Sequence, residues 1–187
     1  MSRHHAAFLV LAGIAACAFA GPAFGGAKRT YRGAYENGAY NFRVTIPKGL
    51  TGYDDGDPDY QRGFTIDLKR PSSKLDVWSE PNSLEYRNPC QAVTAESRYT
   101  KDEARGRVLL LSSRKMMLGP MRACEGRMRY VSRRSGEAYA SMVLCAIGKD
   151  EHLHTILWIG PVRSLARARR LIDQLKASWG YDHDPGR

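Results

Sequence analysis

Asp150-x-His152-x-His154 sets three side chains of ligand type at alternate positions, which in a strand places all three on one face. Imidazole nitrogens two residues apart can share a zinc or copper ion, with the carboxylate as a further donor. No fourth ligand stands close by and Lys149 adds like charge, so the competing reading is a polar hairpin end with exposed histidines. A second constellation, Asp54, Asp55, Asp57 and Asp59, crowds one stretch, and carboxylates so close repel unless a cation or an arginine neutralises them. Calcium on Asp55, Asp57 and Asp59 would do so. The EF-hand pattern nevertheless fails, with Tyr60 at the glycine position and Ile66 where the bidentate glutamate belongs, which leaves a solvated acidic loop as the competing reading.

Reaction chemistry has no motif here. There is no Gly-x-Ser-x-Gly elbow, Walker phosphate loop, dinucleotide fingerprint or Cys-x-x-Cys pair, and beyond the first twenty residues the histidines are His152, His154 and His183. No catalytic residue is assigned and no cofactor is implied. An enzyme would need a site gathered by the fold from scattered residues.

Charge is the stronger signal. The 187 residues carry 29 Lys and Arg against 19 Asp and Glu, a net charge of +10. Between Arg98 and Arg134 eleven basic residues face three acidic ones. In a strand, Arg127, Arg129 and Arg133 share a face while Met128 and Tyr130 point the other way, so the arginine face, with Arg134 beside it, is expected to be exposed and cationic. Export argues against nucleic acid, and no zinc knuckle, RNP motif or aromatic interleaving accompanies the arginines. Anionic lipid headgroups, cell-wall polymers or an acidic protein surface are the fitting partners, against the plain reading of a solvated arginine-rich face.

The export inference rests on residues 1–20. Arg3 precedes an apolar run from Ala6 to Ala20, too short to cross a bilayer, that closes on Ala18-Phe19-Ala20 before Gly21-Pro22. Cleavage as late as Ala27 is an alternative. In a third reading, Ile14-Ala15-Ala16-Cys17 is a lipobox and Cys17 becomes a lipid anchor. An oxidising compartment then lets Cys90, Cys124 and Cys145 form a disulfide. Strands before and after the turn Arg133-Arg134-Ser135-Gly136 would bring Cys124 opposite Cys145, which makes these two the expected pair. Cys90 with Cys124, or three unpaired buried cysteines, are the rivals.

The rest of the chain must hold these groups in place. A loose lead is expected over 21–36, one domain over 37–180 and a polar tail over 181–187. Alternating apolar residues predict strands at Ala39–Ile46, Gly63–Leu68, Lys74–Trp78, Arg107–Met116, Met121–Ser132, Glu137–Ile147 and His152–Ile159. A helix from Cys90 to Arg98 would be capped by Asn88. Leu165, Ala168, Ile172, Leu175 and Trp179, spaced by three and four, mark a closing amphipathic helix. The class is α+β: an antiparallel sheet of six to seven strands layered with helices.

Three segments carry a family resemblance: Tyr40-Asn41-Phe42 leading to Ile46-Pro47-Lys48-Gly49-Leu50, Leu118-Gly119-Pro120 with Ala123 before a long strand, and Leu171-Ile172-x-x-Leu175-Lys176-Ala177-Ser178-Trp179. In these the chain resembles the PsbP and DcrB-like group of exported proteins, apart from Leu50 where an aromatic is usual. The resemblance implies an antiparallel sheet sandwiched by helices, and a module that docks on or stabilises a larger assembly without catalysis of its own.

Overall fold

Alternation governs the long strands, and in the computed structural model they run slightly longer than the apolar residues alone indicate. Residues 28–54, 62–69, 72–99 and 108–181 are described. Among them the order is β1 (Thr30–Tyr31), β2 (Ala34–Asn37), β3 (Phe42–Thr45), β4 (Gly52–Tyr53), β5 (Gly63–Lys69), β6 (Ser72–Pro81), α1 (Pro89–Tyr99), β7 (Leu109–Leu118), β8 (Met121–Val131), β9 (Ala138–Ile147), β10 (His152–Pro161), a 3-10 turn (Val162–Ser164), α2 (Leu165–Ser178) and β11 (Gly180–Tyr181).

Every strand pairing is antiparallel. The main sheet has eight strands in the order β1-β4-β5-β6-β10-β9-β8-β7, and β11-β3-β2 form a separate three-stranded sheet. The α+β class holds, but the strand count exceeds the expected six to seven. The additional strands, β1, β2, β4 and β11, span two to four residues, too few for alternation to register. Of these, β1 and all of β2 but Asn37 lie in the stretch expected as a loose lead. The strand expected from Ala39 begins only at Phe42, because the chain turns first: Asn37 Oδ1 accepts from the Tyr40 N–H at 3.2 Å and Asn41 adopts φ +50°.

The sheet buries both faces. On one, Ile66, Leu75, Val77, Met142, Leu144, Ile156 and Trp158 pack with Phe42, Val44 and Ile46 of the small sheet and with Ala168, Ile172 and Leu175 of α2. Trp179, just past α2, stacks on Phe42 with ring centroids 4.9 Å apart, which locks the helix end to the small sheet. On the other face, Ala92 and Val93 of α1 cover Met128, Tyr130, Val143 and Cys145. Asn88 caps α1 as expected, its Oδ1 accepting from the N–H groups of Cys90 at 3.0 Å and Gln91 at 3.2 Å. Close approach of α1 to β8 depends on Gly126, where a Cβ would stand 2.3 Å from Val93 Cγ1. Among the described residues no helix is long and apolar enough to cross a membrane.

Candidate functional site

The cationic face forms where β8 and α2 meet. Glu125, Arg127 and Arg129 occupy alternate positions on β8, opposite in sense to the buried Met128 and Tyr130, as the sequence pattern requires. Exposure is uneven along that row. Arg129 is exposed, Arg127 is half-buried and Glu125 is buried. Glu125 is also the organising residue: its carboxylate receives Arg114 of β7 at 3.1 Å and Lys176 of α2 at 3.6 Å. Lys176 lies 2.8 Å from Asp173, one turn back on its own helix. One buried anion therefore draws cations from a strand and a helix onto the arginine row. Arg133 and Arg134 stand exposed in the β8–β9 turn, where the Arg134 N–H donates to Ser132 Oγ at 3.2 Å. This geometry can bind anions by charge and by the fork of each guanidinium.

Among the described residues, His152 and His154 do not converge on one point, and His183 lies outside those residues. Positions 152 and 154 do share a face of β10, but the two side chains have separate partners. His152 Nδ1 meets Asp150 at 3.0 Å and its ring lies against Tyr40. His154 is wholly buried, with Nδ1 2.6 Å from Ser79 Oγ and its ring edge-on to Phe42 and Trp179. Burial holds its imidazole down to about 4, so it is neutral at ordinary pH. A serine and histidine at this distance have the spacing of a nucleophile and its base, yet both are at 0% exposure. Among the described residues no three His, Cys, Asp or Glu side chains gather closely enough to hold a metal ion. Asp55, Asp57 and Asp59, and Cys17 with the export signal, lie outside the described residues. Asp54 is described: it accepts from the Tyr31 hydroxyl and from the Arg29 N–H, and burial, then this bond, pushes the Tyr31 phenol up to about 12.

The disulfide is Cys90–Cys124, in place of the expected Cys124–Cys145, and Cys145 is a buried free thiol. Cys124 and Cys145 do face one another across β8 and β9. Parity explains why they stay apart. The Ser132 N–H donates to the Glu137 carbonyl at 3.0 Å, which marks that facing pair as hydrogen-bonded, and steps of two along the ladder reach Cys124 and Cys145. Facing side chains are farther apart at such a site than at the alternate one, and a cross-strand bridge is correspondingly disfavoured. Cys90, carried over β8 by α1, lies with its Cα 5.1 Å from that of Cys124.

A cleft of about 250 Å³ opens between α1 and the sheet, lined in part by Trp78, Glu80, Leu84, Tyr86, Glu96 and Cys145. Burial, with the charge of Glu80 adding to it, pushes the Glu96 carboxyl up, and Arg62 meets Glu80 at 3.1 Å. Burial also pushes the Cys145 thiol up to about 12, so it supplies no thiolate nucleophile at neutral pH. Sequence reasoning missed Glu125, Arg114 and Lys176. Shared parity with Arg127 was a visible signal for Glu125, whereas the return of α2 across β8 has no local trace.

No family model matches the chain, and no curated protein matches it. Among solved structures, that of cyanobacterial PsbP from Synechocystis is similar, with TM-score 0.58 and 11% identity over 90% of this chain and 98% of that one. A crystal structure of a protein from Bacteroides thetaiotaomicron is similar with TM-score 0.51 and 11% identity over 82% of this chain, which spans about half of that protein (50%). LpqN of Mycobacterium tuberculosis, described as involved in cell envelope biogenesis, aligns with TM-score 0.47 and 7% identity, over 82% of this chain and 90% of that one. At 11% identity the likeness is one of architecture: the chain has a fold similar to that of PsbP.

Proposed function

We propose that the chain is an exported accessory module of the cell envelope that docks, without catalysis, through its cationic face onto an anionic envelope surface. The observation that carries this reading is the convergence of Arg114 and Lys176 on buried Glu125, beside Arg127 and Arg129 on the same strand face. The Cys90–Cys124 disulfide supports export, because such bonds persist in oxidising compartments, and residues 1–20 have the order of an export signal. Lipidation of Cys17 would add a tether to the same surface. An accessory role is also what the PsbP-like resemblance implies.

Replacement of Arg127 and Arg129 together by Gln tests the face. Each cation near an anionic surface contributes about 1 kcal/mol, so affinity for phosphatidylglycerol vesicles should fall about thirtyfold. Unchanged vesicle affinity in the folded double variant rejects the assignment of docking to this face. The alternative is a periplasmic carrier of a metal ion or small ligand on the acidic loop or the histidine pair; the core contacts of His154 weigh against the pair, and Asp55, Asp57 and Asp59 of the loop lie outside the described residues.

A further inference from the structure

We infer that β7 is a docking edge for an extended, acidic segment of a partner protein, which adds to the main sheet as a ninth strand. Among the described residues, nothing pairs with the outer side of β7, the last strand of the sheet. An edge strand presents a row of backbone N–H and C=O groups to any chain that can lie extended beside it, and folds ordinarily blunt such edges by keeping them short or charged. Ten residues make β7 long for an edge. Its only interruption is a bulge between Leu110 and Ser112, so the register from Ser112 to Leu118 is continuous.

Apolar exposure concentrates here. Of the five large hydrophobic residues that stand exposed among the described residues, Leu109 (48%), Leu111 (59%) and Met117 (53%) are on β7 and Val131 (38%) ends the neighbouring β8. They follow the edge rather than one face, since Leu109 shares the face of Arg129 and Met117 that of Arg122, on opposite sides of the sheet. Charge selects the occupant. Arg114 and Lys115 lie between the apolar ends of β7, where Arg114 faces Glu125 and Lys115 faces Cys124, and exposed Arg129 and Arg122 of β8 stand opposite Leu109 and Met117 at those ends, so the edge is basic along its length. A second copy of β7 laid antiparallel would set Arg114 and Lys115 against their own kind, which is unfavourable across a strand pair. A segment with acidic residues at its centre and apolar residues at its ends matches both features, with backbone hydrogen bonds supplying affinity and side chains specificity. This inference goes beyond docking on an anionic surface and stands without it, because it requires backbone pairing.

The probe is a fluorescein-labelled peptide of alternating Val and Thr with two central Glu residues and Leu at either end. A control peptide of equal charge carries Pro at two central positions and cannot form a strand. We expect the mature protein to bind the first peptide at least about tenfold more tightly than the second by anisotropy. Slowed exchange of β7 amides on binding, read by hydrogen exchange on the unaltered protein, is the second expected result. The Leu111→Lys, Met117→Lys double variant should bind the peptide at least about tenfold more weakly although it gains two positive charges, whereas its affinity for anionic vesicles should hold or rise. Equal binding of the two peptides, or peptide binding with no protection of β7, overturns the inference and leaves surface docking untouched. Loss of vesicle binding in the unaltered protein, with peptide binding intact, does the reverse.

Discussion

His154 shows how a single side chain can couple this fold to acidity. Its imidazole is held down to about 4 by burial, while an unfolded chain would titrate near 6.5. Between these values the unfolded chain takes up a proton that the folded one refuses, so stability is lost as pH falls through that window, by about 3 kcal/mol in all. Glu96 acts in the opposite sense, since a carboxyl pushed up by burial is relieved by acid. Comparison with His154→Gln isolates the histidine: urea midpoints at pH 7 and about pH 4.5 should diverge more in the unaltered protein than in the variant. Equal divergence would contradict the assignment. Glu125 is the other residue on which much depends. Glu125→Gln removes the charge that Arg114 and Lys176 share and leaves the largely buried Lys176 ammonium with Asp173 alone, at a cost of about 2 kcal/mol. The same change should strengthen binding to anionic vesicles, a combination that simple misfolding would not produce. A histidine pair at alternate positions was legible from sequence. Its burial was not, because the Phe42 and Trp179 rings that enclose His154 arrive from a distant strand and a helix end.

At the scale of elements, the β8–β9 hairpin was readable because a four-residue turn between two apolar runs fixes which residues face one another, and Cys124 does face Cys145. Which facing pairs are hydrogen-bonded depends on the backbone detail of the turn, and side-chain patterns carry little of that information. That detail decided the disulfide. The Cys90–Cys124 bond ties α1 to β8 and closes a loop with a sequence separation of 34, for which the chain-entropy account gives about 4 kcal/mol. Cys90→Ser should therefore lower stability by roughly that amount while Cys145→Ser costs far less, and a non-reducing peptide map should show Cys90 joined to Cys124. A map joining Cys124 to Cys145 would overturn the arrangement. The helices were read well for a related reason: Asn88 before Pro89 and the stripe Ala168, Ile172, Leu175 are local signals, and local signals survive tertiary packing. Two-residue strands such as β1 and β4 exist only because a neighbour pairs with them.

Over the whole molecule, the sheet divides the protein between an α1 side and a side shared by α2 and the small sheet, and the cationic row emerges where α2 leaves β8 and β7 uncovered. In the proposed docking, an anionic surface would attract the basic face before any contact forms, and salt would weaken that attraction. The most direct test is co-sedimentation of the mature protein with phosphatidylglycerol and with phosphatidylcholine vesicles, from low to high salt. Docking through the cationic face predicts binding to the anionic vesicles alone, lost as the Debye length shrinks from about 30 Å to about 3 Å. Binding to both kinds of vesicle alike, or binding to the anionic ones that salt leaves unchanged, would contradict it.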